Sequence, residues 1–208
     1  LSGVGNKNVT LGIPRLKELL DQAKSIKTPS NRVRFLPPYN KSAEFASYFA
    51  ATLPLTRLND IVTRCDLVHD PDPKVTNVEA DAFIVNMDNQ LEAITDIGFS
   101  RYVVRLTLNQ GVMQTRRITP PMVRTLLRNR LFNKAHVISS ETNSVDWIMR
   151  IRFKRMDEMM KSLPAAHRNE YEGLLCHRTV SAMLNTVAIS GHIRLTGAQA
   201  GTEDQNGD

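Results

Sequence analysis

The stretch Val145–Phe153 constrains the fold most, because apolar and polar side chains alternate along a full strand length. The apolar face carries Val145, Trp147, Met149, Ile151 and Phe153. The other face carries Asp146, Arg150 and Arg152, with Ile148 as the exception. Polar residues at Glu141–Ser144 separate this strand from the apolar run Ala135–Ser140, which predicts a β-hairpin.

Four further elements are predicted in the second half of the chain. Alternation over Tyr102–Leu108 indicates a strand that is buried largely on both faces. Thr119 is the expected cap of a helix over Pro120–Phe132. Its core stripe is Met122, Val123, Leu126, Leu127 and Leu131. A long helix over Ala166–Val187 follows, and a short final strand is predicted at His192–Leu195. The apolar side of the long helix is Tyr171, Leu174, Leu175, Ala182 and Met183.

Prolines divide the first half into shorter elements. The predictions there are a helix over Pro14–Ile26, a half-buried strand at Arg32–Leu36, a helix from Ser42 to Pro54 with Phe45, Tyr48 and Phe49 on one face, and a strand over Leu58–Val68. The first helix should bury Leu16, Leu19, Leu20 and Ala23. Each aspartate of Asp70-Pro71-Asp72-Pro73 can accept a local backbone N–H, so this segment should form a rigid turn. Phe83–Met87 suggests a strand and Gln90–Thr95 a helical turn.

Composition indicates an ordinary globular protein. The chain has 208 residues and 41% hydrophobic content, and no apolar run reaches the length of a membrane span, so no membrane partner is expected. Cys65 and Cys176 lie far apart and show no zinc-binding spacing, which favours a reduced intracellular chain. Because Leu1 is not an initiator methionine, we expect a piece of a larger or processed protein.

Positive charge is concentrated in the second half. Residues 1–104 hold 12 basic and 12 acidic side chains, whereas residues 105–208 hold 15 and 9, which gives the net charge of +6. The excess lies near Arg116–Lys134 and Arg150–Arg155. Such asymmetry fits a nearby polyanion, an acidic protein partner or a solvated basic face.

Three motifs resemble a known family. They are GVGNKNVTLGIPRLKELL at Gly3–Leu20, KSIKTPS at Lys24–Ser30 and HDPDPKVT at His69–Thr76. Together they resemble the largest subunit of multisubunit DNA-directed RNA polymerase, of the RNA polymerase II type. The resemblance extends over about residues 1–197 and covers the second half of the trigger loop, the cleft and the jaw. A large DNA virus or a divergent eukaryote would fit as the source.

The resemblance implies an α+β fold, with two small mixed strand-helix-strand units, cleft and jaw, joined by a long C-terminal helix. The expected domains are the trigger-loop tip and cleft helices over 1–53, a jaw-like α/β domain over 54–165, the return helix and strand over 166–197, and a disordered tail over 198–208.

The glycine-spaced segment at the start has neither a phosphate-loop nor a dinucleotide-binding spacing. By itself it would be a flexible connector. By resemblance it is the trigger-loop segment that closes over the incoming nucleotide, a gating role. Its residues are Gly3, Val4, Gly5, Asn6, Lys7 and Asn8. The family's conserved histidine would stand just before Leu1, so no catalytic residue is assigned.

No metal site is expected in this chain. The family holds Mg²⁺ on an Asn-Ala-Asp-Phe-Asp-Gly-Asp motif, which has no match here, so Mg²⁺ is expected elsewhere in the full polymerase and no cofactor in this segment. Glu79, Asp81 and Asp88 have the wrong spacing, and a solvated loop is the preferred interpretation. Cys176 and His177 are adjacent on a helix and point about 100° apart, which disfavours joint catalysis.

The resemblance also implies partners. Downstream duplex DNA would contact Arg15, Lys17, Lys24 and Lys27 through its phosphates, although plain solvation is an equal alternative. Other polymerase subunits and the transcript-cleavage factor are the expected protein partners. For Arg124, Arg128 and Arg130 a solvated face or a protein partner is favoured over DNA, because no aromatic platform accompanies them. The expected location is the nucleus, or alternatively a cytoplasmic viral factory or virion.

Two other functions remain open. A stand-alone basic α+β protein that binds nucleic acid would show tight, salt-sensitive DNA binding by this chain alone. A small metabolic enzyme would show saturable nucleotide binding, against which the missing phosphate-loop spacing argues.

Overall fold

A computed structural model describes residues 12–22, 24–26, 28–91, 98–132, 134–154, 164–195 and 197–201. The chain divides into two compact units, Leu1–Ser42 and Ala43–Asp208. The helices are α1 Ile13–Leu20, α2 Ala43–Thr52, α3 Leu58–Ile61, α4 Ala82–Leu91, α5 Gln110–Thr115, α6 Pro120–Leu131 and α7 Ala165–Thr186. The strands are β1 Thr56–Arg57, β2 Val62–His69, β3 Phe99–Leu108, β4 Ala135–Ser139, β5 Ile148–Lys154 and β6 Ala188–Ser190. The predicted α+β class with a long C-terminal helix is therefore confirmed.

The second unit is built on a four-stranded antiparallel sheet with the order β2-β3-β5-β4. Val104 lies opposite Ile151 and Leu106 opposite Met149, so one face of the two central strands is continuous and apolar. This face packs against α6 and α7, where Leu127 and Val180 are fully buried. Burying such a side chain contributes roughly 1.5–3 kcal/mol, so this layer is the main source of stability.

Both faces of the sheet are covered, which the sequence indicated for β3 but not for β5. The alternation predicted for the last hairpin strand is correct for Met149, Ile151 and Phe153, but Arg150 and Arg152 on the opposite face are also buried. The second face lies under α4 and under the turn after β2. Val145 lies outside β5 and is 90% exposed, so the strand begins later than predicted.

Five predicted features of the second unit agree with the structure. The strand predicted at Tyr102–Leu108 lies within β3, the hairpin is formed by β4 and β5, and α2, α6 and α7 lie close to their predicted bounds. The predicted apolar side of α7 is correct for Met183, which packs against the core, and wrong for Leu174, which is 61% exposed. Cys176 and Val180, which the prediction left out, face the sheet.

A glycine explains how α7 approaches the sheet. A Cβ added at Gly173 would lie 3.2 Å from the ring of Tyr102 and 3.3 Å from Leu67. An added Cβ would therefore require these side chains to shift by a few tenths of an ångström, so glycine permits the close approach of α7 to β2 and β3. The predicted final strand at His192–Leu195 is also misplaced, since the pairing strand is β6, against β1, and His192 forms only an isolated bridge to Pro54.

Two predicted strands are helical. Leu58–Ile61 forms α3, where the backbone N–H of Arg57 donates to Asp60 Oδ2 at 2.7 Å, so only Val62–His69 of the predicted strand is extended. Phe83–Met87 lies inside α4. A short apolar run such as Phe83–Met87 fits a buried helix and a buried strand equally well. Of the turn predicted over Gln90–Thr95, Gln90 and Leu91 belong to α4 and the rest lies outside the described residues.

The first unit departs most from prediction. Helix α1 ends at Leu20, and Leu16, Leu19 and Leu20 are 55%, 59% and 74% exposed, so the predicted buried stripe is wrong there, while Ala23 lies outside the described residues. Arg32–Leu36 forms no strand, and Val33 is 66% exposed. A strand needs a partner strand, and the described residues of this unit offer none. The domain boundaries at 53, 165 and 197 and the disordered tail stay predictions.

Candidate functional site beneath the Asp-Pro-Asp-Pro turn

The turn that follows β2 is held by hydrogen bonds at both aspartates. Asp70, which is 1% exposed, donates its N–H to Arg101 O at 2.8 Å and accepts from the Asn77 N–H at 3.3 Å. Asp72 Oδ1 accepts from the Lys74 N–H at 2.8 Å. The expected acceptance of local backbone N–H groups is confirmed for both carboxylates.

Arg150 of β5 connects this turn to the segment before α4. Its Nη1 donates to Thr76 Oγ1 at 2.9 Å and to Asp81 Oδ2 at 2.7 Å, and its Nη2 donates to Asp70 Oδ2. The side chain of Arg150 is only 4% exposed and that of Asp81 is fully buried. One guanidinium therefore ties three separate parts of the chain together.

Arg152, two residues along the same strand, holds the backbone of the turn. Its Nη1 donates to Asp70 O at 2.6 Å and to Ser100 O at 3.0 Å, and its Nη2 donates to Asp72 O at 3.3 Å. Burial lowers the pKa of the Arg152 guanidinium from its ordinary value, and the negative charge of Asp70 opposes that shift. The turn is thus fixed through its carbonyls as well as its carboxylates.

Asp81 receives a second arginine. Arg105 Nε lies 3.1 Å from Asp81 Oδ1 and 3.0 Å from Oδ2. The buried network therefore consists of Asp70, Asp81, Arg105, Arg150 and Arg152. We call it the arginine–aspartate network. Its carboxylates are occupied by guanidinium groups, so it can hold a turn rigidly but does not offer a free base or an open metal position.

The solvated loop predicted for the acidic residues near α4 is wrong for two of the three. Glu79 is exposed, but Asp81 is buried in the network, and Asp88 is mostly buried on α4, with its Oδ2 3.1 Å from His136 Nε2. The reason is that α4 turns these carboxylates toward the sheet. Within the described ranges, no three His, Cys, Asp or Glu side chains come together as a metal site, and the location of Mg²⁺ elsewhere stays a prediction.

The predicted site residues in the first unit are only partly described. Gly3, Val4, Gly5, Asn6, Lys7, Asn8 and Lys27 lie outside the described residues. Arg15 pairs with Glu18 at 3.0 Å, and Lys17 and Lys24 are exposed. Because α1 ends at Leu20, Lys24 does not continue the helical edge on which it was placed. Contact with DNA stays a prediction for these residues.

The two cysteines are not activated. Burial is the main cause that raises the pKa of both the Cys65 and the Cys176 thiol. Reactive cysteines need a lowered thiol pKa, so neither is a candidate nucleophile. Cys176 is buried while His177 is exposed, in agreement with the predicted divergence of the pair.

Comparison with known families gives a match over most of the second unit. Residues 56–190 match the family described as RNA polymerase Rpb1, domain 7. The chain belongs to this family. It is therefore part of the largest subunit of a DNA-directed RNA polymerase, and the arginine–aspartate network lies wholly within domain 7. In the described part of the chain, no helix has the length and apolarity needed to cross a membrane.

The network itself was missed by sequence reasoning. The signal available was the placement of Arg150 and Arg152 at alternate positions of the strongest strand, with acidic residues elsewhere to pair with them. Charged residues are almost never fully buried unless they are paired, so the polar face of a strand normally predicts solvent. Only the position of α4 and of the turn over this face reverses that expectation.

Proposed function

We propose that this chain forms a docking and DNA-positioning part of the polymerase largest subunit. The Asp70–Pro73 turn and its exposed neighbours would present a rigid surface to other subunits or to the transcript-cleavage factor. The first unit would hinge the trigger loop and lie beside downstream duplex DNA. Magnesium and the catalytic carboxylates would belong to other parts of the enzyme, and this segment alone would not polymerise nucleotides.

One observation carries the docking role. The two guanidinium groups that hold the turn, those of Arg150 and Arg152, are buried together with both carboxylates of the network, whereas the outer residues of the turn are exposed. Burying charges costs several kcal/mol per ion before pairing is counted, so the arrangement stabilises little more than an apolar layer would. What it adds is a turn with a single conformation, and a rigid exposed loop on a packed scaffold is a common binding element.

The docking role is tested by a charge placed on the turn. Val75 is 64% exposed, and Val75→Asp should deplete another subunit or factor from polymerase purified through this chain. Val145→Asp is the matched control, because Val145 is 90% exposed on the hairpin loop. Subunit stoichiometry by mass spectrometry decides: an unchanged composition for Val75→Asp would remove the proposal.

The DNA role rests on the exposed basic residues of the first unit and on the resemblance. Lys17→Glu together with Lys24→Glu should weaken elongation complexes, and the salt dependence of their stability should fall by roughly one unit of slope per lost phosphate contact. Arg178→Glu, on the exposed side of α7, is the control. An unchanged salt slope in the double variant would leave these lysines as solvated side chains.

The cellular compartment of the polymerase is also a proposal. We expect the nucleus, or a viral factory or virion if the polymerase is viral. Fluorescence localisation of the tagged subunit in its native cells distinguishes these, and a uniform cytosolic signal outside any factory would contradict both.

A further inference from the structure

Phe132 occupies an unfavourable position at the end of α6. Its backbone is left-handed, with φ 43 and ψ 55, and its side chain is 82% exposed. Helices commonly end in this conformation, but with glycine or asparagine, because a Cβ crowds the following carbonyl. The exposed ring offsets none of that cost by burial within the described residues.

The surroundings of Phe132 are strongly basic. Between Asn109 and Ser140 the chain has no Asp or Glu, and its basic residues there are Arg116, Arg117, Arg124, Arg128, Arg130 and Lys134. Arg130 and Lys134 flank Phe132 and are exposed, and Arg124 and Arg128 lie four residues apart on α6. Met122, at the other end of the helix, is 56% exposed. Apolar and cationic side chains are therefore both exposed at the C-terminal end of α6, whose other side packs against the sheet.

The chemistry of this helix favours a protein partner over nucleic acid. Phosphate groups bind the free N–H groups of helix N-termini, but α6 begins with Pro120 and Pro121, which have none. Single strands need successive aromatic platforms, and Phe132 is the one aromatic residue of α6 and its C-terminal cap. The phosphate face of a duplex offers nothing apolar to cover Phe132 and Met122. A protein segment can supply carboxylates and an apolar pocket together.

We infer that Phe132 and the basic residues around it form a docking surface for an acidic segment of a partner protein. The ring inserts into an apolar pocket of the partner, and carboxylates of the partner pair with Arg124, Arg130 and Lys134. This surface is separate from the Asp70–Pro73 turn, so it does not depend on the docking role proposed for that turn.

Photo-crosslinking in assembled polymerase tests the inference directly. Phe132→p-benzoyl-phenylalanine should crosslink to one protein segment of net negative charge with apolar residues, mapped by mass spectrometry. Val145→p-benzoyl-phenylalanine, equally exposed, is the control and should not reach that segment. Crosslinks to DNA or RNA, to a basic segment or to no partner would each overturn the inference.

A variant that keeps the fold separates binding from stability. Phe132→Gly relieves the left-handed backbone, so thermal stability should be kept or raised while retention of the crosslinked partner falls about tenfold, as for loss of an interface anchor. Arg124→Glu with Arg130→Glu should weaken retention about five- to tenfold, and Arg178→Glu less than about twofold. Full retention in Phe132→Gly would show that the exposed ring is not an anchor.

Discussion

Arg150 Nη1 donates a 2.7 Å hydrogen bond to Asp81 Oδ2 across 69 residues of chain, and neither side chain is more than 4% exposed. Since Arg105 binds the same carboxylate, Asp81 joins the two central strands to the start of α4. The Asp81 carboxylate therefore holds the start of α4 against the second face of the sheet.

Removal of Asp81 should be among the most damaging single changes in the chain. Asp81→Ala removes the carboxylate partner of Arg105 and one of the two carboxylate partners of the buried Arg150, and we expect a loss of about 3–5 kcal/mol in the free energy of unfolding. Urea denaturation followed through Trp147, the single tryptophan and only 4% exposed, measures it. Glu79→Ala, in the exposed part of the short segment before α4, should change the free energy of unfolding by less than about 0.5 kcal/mol. Equal effects of the two variants would mean that the network is not structural.

Gly191 should tolerate no side chain. Its φ is +84°, and an added Cβ would lie 2.1 Å from Pro54 O. Because the obstacle is backbone, Gly191→Ala must displace the β1–β6 pair, and we expect a loss of at least about 2 kcal/mol. Gly111→Ala is the matched control: it lies in α5, where the added Cβ meets an ordinary 3.5 Å contact, so stability should rise by about 0.5–1 kcal/mol. Thermal melts distinguish the two, and a neutral Gly191→Ala would contradict the close approach.

Whether an element was predicted correctly from the sequence depended on the length of its pattern. Long signals such as the alternation over β3 and β5 and the 22-residue α7 were predicted, because many positions agree on one period. The run at Phe83 was assigned to a strand because a five-residue apolar run does not distinguish helix from strand. Leu58–Ile61 was joined to the strand that begins directly after it at Val62. The Asp-Pro turn was recognised from local chemistry.

What the sequence could not supply was the pairing of the turn with distant arginines. Arg150 meets Asp70 only because β5 lies beside β3 and the turn folds back over both. That depends on sheet order, which no local pattern specifies. The family motif indicated where a tightly held turn lies, whereas the arginines that hold it lie on strands outside the motif.

The exposed apolar stripe of α1 makes a prediction about the first unit. Leu16 and Leu19 are more than half exposed, although the helix has clear amphipathic spacing. If other parts of the polymerase cover them, Leu16→Ser with Leu19→Ser should leave the stability of this chain alone within about 0.5 kcal/mol. In the assembled enzyme the same variant should weaken transcription. Hydrogen exchange over α1, faster in the free chain than in the polymerase, would confirm the covering, and equal exchange rates would contradict it.

The buried thiol of Cys176 gives an expectation about pH. Burial is the largest cause that raises its pKa above the ordinary 9.0, and the fold therefore favours the neutral thiol. The sign follows from linkage. As pH rises, the thiol loses its proton in the unfolded chain before it does so in the folded chain. The stability that the neutral thiol contributes is therefore complete below pH 9 and is lost as pH rises toward the folded pKa.

Cys176→Ala should lower stability near pH 7 through lost packing, but the stability of this variant should fall less between pH 8 and pH 10 than that of the unmodified chain. Urea midpoints at matched ionic strength measure the difference. Cys65→Ala is the comparison variant, because the Cys65 thiol is only half-buried and its pKa is also raised. Parallel pH profiles for the Cys176→Ala variant and the unmodified chain would show that the thiol titrates alike in the folded and unfolded states.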